Sequence, residues 1–129
     1  MKNSIAILAA TVWISISEFI RNQYLVQSFW VDHYKALGQT FPAEPLNGAV
    51  WGIWSLVFAI LIFIISRKFN VIQTAGIAWV AGFAMMWLVI GDLSALPFGI
   101  LAYTIPLSML EVLLASWLVK KISPAVQPV

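Results

Sequence analysis

Cysteine is absent from the 129 residues, histidine occurs once, and acidic residues number only five. Without cysteine there is neither a disulfide scaffold nor a thiolate metal site. One histidine, His33, cannot supply bis-His haem ligation or a typical zinc centre, and carboxylates alone suit only a hard cation. No glycine-rich phosphate loop, Cys/His metal spacing or nucleophile elbow occurs, so the sequence gives no reason to expect a metal or other cofactor. No lysine lies inside an apolar run, which argues against a retinal Schiff base. Charge is scarce altogether, at 9% of residues, and this excludes a disordered chain.

What fills the chain instead is apolar. Hydrophobic residues make up 62%, and the mean hydropathy is +0.95. A water-soluble domain this small leaves too much of its surface facing solvent to hide that content. Membrane lipid is therefore the expected partner. The seven cations give a net charge of +2 but stand singly or in pairs at the ends of apolar runs. Nucleic acid would need them clustered on one face, so none is expected. Nothing points to a soluble partner.

The sequence predicts an all-α integral membrane four-helix bundle forming a single domain over 1–129. Its helices run at about 4–25, 47–66, 71–91 and 98–119, each long enough for the roughly 20 residues a spanning helix requires. Arg67-Lys68-Phe69-Asn70 and Asp92-Leu93-Ser94-Ala95-Leu96-Pro97 are short turns that force antiparallel neighbours. Pro97 precedes the last helix harmlessly, whereas Pro106 falls inside it and should kink it. With the N-terminus cytoplasmic, Lys2, Arg67, Lys68, Lys120 and Lys121 lie inside, against Arg21 and Lys35 outside. Both termini should then be cytoplasmic, with a bacterial inner membrane as the expected location. The opening apolar run continues through Trp13 and Ile16 without a convincing small-x-small cleavage site, so it reads as a retained anchor rather than a signal peptide.

The one long connection divides in two. Residues 26–38 carry Val26, Phe29, Trp30, Tyr34 and Leu37 opposite Gln27, Ser28, Asp32 and Lys35, as an interfacial amphipathic helix would, with Gly38 as its stop. Pro42 and Pro45 deny helix to the rest. Phe29, Trp30, Tyr34, Phe41, Trp51 and Trp54 form an outer aromatic collar, chiefly an anchor and secondarily a pocket for a lipid or small apolar ligand. His33 reads as an exposed interfacial residue.

In lipid, small and polar residues mark the faces where helices meet. Gly48, Gly52, Ser55 and Ala59, at offsets of four, seven and eleven, stay within about 60° of one another and suit close packing within the chain; a homo-oligomer interface is the alternative. Thr11, Ser15, Glu18 and Asn22 repeat the spacing on the first helix, and Thr104, Ser108 and Glu111 on the fourth. A charge near the membrane centre costs roughly 3 kcal/mol, so Glu18 and Glu111 should face protein. The two stripes should face each other, Ser15 level with Ser108, Glu18 with Thr104 and Glu111 with Thr11. A hydrogen-bonded seam is the structural reading, and a proton or cation path along it is the sharper one. Arg21 and Asn22 both reach Glu18 along one helix face, and Arg21 either pairs with it or extends outward to the surface.

The run Asn22, Leu25, Trp30, His33-Tyr34 and Leu37-Gly38, followed by three further spans, resembles a group of small uncharacterised four-helix membrane proteins, which implies the fold and no activity. A glutamate in the first of four helices is similar in position to that of the small multidrug-resistance transporters. The long first connection and Arg21 depart from them, so only the position is shared. Three function classes follow. A structural or accessory membrane protein comes first, then a transporter or channel subunit using Glu18 and Glu111, then lipid or apolar ligand binding at the collar. Enzymatic activity ranks last, for want of a triad or of paired acids on adjacent turns.

Overall fold

The computed structural model describes residues 1–125, and among them the regular structure is all helical: α1 (Lys2–Leu25), α2 (Gln27–Ala36), α3 (Pro45–Ser66), α4 (Val71–Asp92) and α5 (Phe98–Ile122). α3 and α4, unlike the other helices, begin where side chains help satisfy their free N–H groups. Pro45 opens α3 with its fixed φ and no orphan N–H, and the Glu44 N–H donates to the Asn47 side chain at 2.9 Å. Asn70 and Gln73 cap α4 reciprocally, at 2.8 and 3.2 Å. Gly38 stops α2 in the left-handed region at φ 72°, as its freedom from a Cβ allows.

α1, α3, α4 and α5 are long and apolar enough to cross a membrane, and α2 is the short segment after the first of them. α3 and α5 each pack against α1, α4 and one another, so they form one diagonal of the bundle and α1 and α4 the other. α5 runs uninterrupted through Pro106. Two wide π-type turns interrupt the regular helices, at Arg21–Leu25 in α1 and Val80–Ala84 in α4. Such turns are uncommon and often mark functional positions.

Polar side chains share the interior with the apolar core, and large apolar ones cover the outside. Glu18, Arg21, Ser55, Thr74, Thr104, Ser108, Glu111 and Ser116 are buried, while Leu8, Val12, Ile16, Phe19, Ile53, Ile72 and Leu88 face outward. Only 22% of the most apolar stretch of α1, α3 or α4 is buried, and 33% in α5. The core that remains is thin: Ala10, Ile14, Phe58, Ala59, Ile62, Ala78, Phe83, Val112 and Ala115 meet at the centre.

The small-residue face of α3 behaves differently at its two ends. Ser55 and Ala59 are buried in contacts, as expected. Gly48 and Gly52 do not pack closely, because a Cβ on either would meet nothing within 4 Å. The closest glycine contact is instead at Gly82 of α4, where the Phe58 ring lies against the backbone and an added Cβ would sit 2.5 Å from it.

Candidate functional site: a buried acid–arginine–acid cluster

Glu18 sits one turn before the π-turn of α1, and Arg21 is that turn's first residue. Arg21 Nη2 donates to Glu18 Oε1, and its Nη1 lies 3.6 Å from Oε1 of Glu111 on α5. Arg21 does not extend outward, since it, Glu18 and Glu111 are 4%, 4% and 0% exposed. One guanidinium thus stands between carboxylates from two helices. The Phe83 ring, within the π-turn of α4, covers its third side at 5.2 Å, so the two irregular turns meet through this cation–π contact.

Asn22 extends the network outward. Its Nδ2 donates to Glu18 Oε2 at 2.9 Å and to the Glu18 carbonyl at 3.1 Å, while its Oδ1 accepts from Trp30 Nε1 at 3.1 Å. The chain of polar groups therefore runs from α2 to the bundle centre. On the inner side the network is incomplete. Among the described residues, neither oxygen of Glu111 has a hydrogen-bond partner, nor do Nε and Nη1 of Arg21. Buried ionisable atoms left without partners are costly, and sites that keep them commonly use them.

α1 and α5 pack together, but their polar stripes do not meet edge to edge: Ser15, Glu18 and Asn22 border the space between α1 and α3, and the α1 network reaches the α5 acid through Arg21. Ser123 bonds to Asn3, and Trp13 Nε1 donates to the Glu111 carbonyl at 2.9 Å. Counting antiparallel from Asn3 and Ser123 sets Glu111 level with Ser15 and Glu18 level with Ser108. The expected pairings of Glu18 with Thr104 and Glu111 with Thr11 are thus off by about one turn. The two acids come within about 5 Å in height rather than about 10 Å. The hydroxyls do not bridge the helices either. Thr11 donates to the Ile7 carbonyl, Thr104 to that of Ile100 and Ser108 to that of Ile105, all within their own helices. Crossing bonds come from indoles instead, since Trp79 Nε1 donates to Ser108 Oγ at 2.9 Å.

Beside the cluster lies a cavity of about 440 Å³ between α1 and α3. Ser15, Glu18, Phe19, Asn22 and Gln23 line one wall, and Asn47, Gly48, Trp51, Gly52 and Ser55 the other. The Pro42-Ala43-Glu44-Pro45 segment closes one side. The open glycines of α3 make this space, so the face expected to receive another backbone instead admits a cavity that reaches Glu18.

The aromatic collar divides into separate groups rather than one pocket. Trp30, Tyr34 and Phe41 cluster, with Trp30 and Phe41 stacked at 5.9 Å, and hold the 39–44 segment near the cavity rim. Phe29 turns to Tyr103 and the backbone of Gly99. Trp51 contacts Trp54, which continues into the core against Phe58 and Phe83. Among the collar residues only Trp51 lines the cavity. His33 Nε2 donates to the Ser94 carbonyl at 2.7 Å, joining α2 to the turn before α5.

Sequence reasoning missed the contact of Arg21 with Glu111, the indole bridges of Trp13 and Trp79, and the cavity walls at Gln23 and Asn47. The tryptophans carried a signal, because a deeply placed indole needs an acceptor for its N–H. Comparison with protein-family models, curated proteins and solved structures finds no match for this chain.

Proposed function

We propose that this is a multi-pass protein of a bacterial inner membrane, with both termini cytoplasmic, and that it works as a proton- or cation-coupled transporter or channel subunit through Glu18 and Glu111. The observation that carries the reading is the charge count of the cluster. Two buried carboxylates share one guanidinium, and one of those acids lines a cavity. A neutral group of charges is the least costly to hold in hydrocarbon, and here neutrality takes one proton. A cation arriving through the cavity would substitute for that proton without changing the total charge. The outward-facing apolar residues of all four long helices support the membrane location, and the five cations at the end carrying both termini support the orientation.

The test is proton movement in proteoliposomes loaded with a pH-sensitive dye, under an imposed pH gradient. The parent protein moves protons, and Glu18→Gln and Glu111→Gln each reduce the rate at least tenfold while the bundle stays folded. A parent without flux, or variants with unchanged flux, removes the proposal.

A structural or accessory role is the second reading. It is favoured by the bond chain from Trp30 through Asn22 and Glu18 to Arg21, which ties α2 to the bundle whether or not anything is transported.

A further inference from the structure

We infer that the cavity between α1 and α3 takes a small amphipathic amine, with its ammonium toward Glu18 and its apolar body against Trp51 and the glycine face of α3. The inference rests on the proposed role of Glu18 and adds the class of ligand.

The lining decides the sign of the charge. Two carboxylates, Glu18 and Glu44, border the cavity, and among the described residues no lysine, arginine or histidine does; Arg21 lies behind Glu18, within the cluster. An anion would meet only like charge there. A zwitterionic lipid headgroup fares no better than an anion at its phosphate, since no cation lines the space to receive it. Side-chain amides of Asn22, Gln23 and Asn47 provide carbonyl oxygens that can accept from an ammonium.

The lining also decides the body. Phe19 and Trp51 flank the space, and Gly48 and Gly52 leave a smooth floor with no atom within 4 Å of where a Cβ would stand. A cavity of about 440 Å³ falls in the size range of small-molecule sites, which are mostly apolar with a few converging polar groups. Glu18 is already hydrogen-bonded on both oxygens, so an ammonium competes with Arg21 for it. Arg21 has a second carboxylate within 3.6 Å to turn to, which keeps the guanidinium paired when the ligand arrives.

The test is isothermal titration calorimetry on the protein in nanodiscs, with the heat of empty nanodiscs subtracted. Three probes share one body and differ in charge: 4-phenylbutylamine, 4-phenylbutan-1-ol and 4-phenylbutyrate. The amine binds at least tenfold more tightly than the alcohol, and the butyrate does not bind. Glu18→Gln lowers amine affinity at least tenfold and leaves the alcohol's unchanged. Should that variant fail to fold, Gly52→Leu decides, because its side chain fills the cavity and abolishes amine binding. Equal affinity for amine and alcohol, or amine binding that survives Gly52→Leu, overturns the inference. Failure here is separable from failure of the proton reading. Absent amine binding with Glu18-dependent proton flux intact removes the ligand class alone, and amine binding without flux removes the transport role alone.

Discussion

Arg21 Nη1 lies 3.6 Å from Oε1 of Glu111 while Nη2 of the same guanidinium is bonded to Glu18, so one cation on α1 serves acids on both sides of the α1–α5 contact. Replacing it leaves two carboxylates buried without compensation. Arg21→Met should destabilise the bundle by about 3–5 kcal/mol, as loss of one member of a buried ion pair does. SDS-titrated unfolding followed by tryptophan fluorescence measures this. Combining Arg21→Met with Glu111→Gln should recover part of the loss, and a strictly additive double variant would mean that the two residues do not interact.

Glycines of this chain should respond in opposite ways to the same methyl group. Gly82→Ala forces a Cβ to within 2.5 Å of the Phe58 ring, at a cost of about 1–3 kcal/mol. Gly48→Ala meets open space and replaces a poor helix former, so it should be neutral or gain up to about 1 kcal/mol. Thermal unfolding in detergent gives both values, and the contrast fails if the two variants shift in the same direction.

Trp30 contributes a hydrogen bond and a stacked ring, and the two are separable. Trp30→Phe removes the N–H donated to Asn22 and trims the ring while keeping an aromatic face toward Phe41, and should cost about 1 kcal/mol or somewhat more. Trp30→Ala also removes the stack on Phe41, which holds the segment beside the cavity rim, and should cost more. Equal losses would place the whole contribution in the hydrogen bond. The measurement is again SDS-titrated unfolding.

Orientation is directly measurable because the chain has no cysteine of its own. Single cysteines at Gln39→Cys and Lys68→Cys, probed with a membrane-impermeant maleimide on spheroplasts, should label at position 39 and not at 68. The reverse pattern would invert the proposed topology.

Helix boundaries were legible because hydropathy, capping residues and prolines are local signals. The expected 47–66 helix begins two residues early only because Pro45 suits a first turn, and Asn70 caps α4 where the Arg67–Asn70 turn was expected. Burial of Glu18 and Glu111 was legible from their charge, whereas the side to which the Thr11 stripe turns was not, because Ser15, Glu18 and Asn22 border the α1–α3 space. The register of α1 against α5 was not legible either, because counting depth from each surface assumes equal starting points. The actual alignment is fixed by Asn3 with Ser123 and by Trp13 with the Glu111 backbone. The cavity was illegible for a related reason. Gly48 and Gly52 look the same in sequence whether a neighbour fills their groove or stands away from it, and only the path of residues 42–45 separates the two.

The placement of Glu18 and Arg21 three residues apart bears on biogenesis. Under the proposed membrane location, α1 would reach the bilayer before Glu111 is made, so any charge that relied on α5 alone would wait uncompensated through most of synthesis. The internal pair gives the first helix its own counterion during that interval. The last helix then arrives to a segment already tolerated by its surroundings, and adds its acid to a charge balance that began within a single turn.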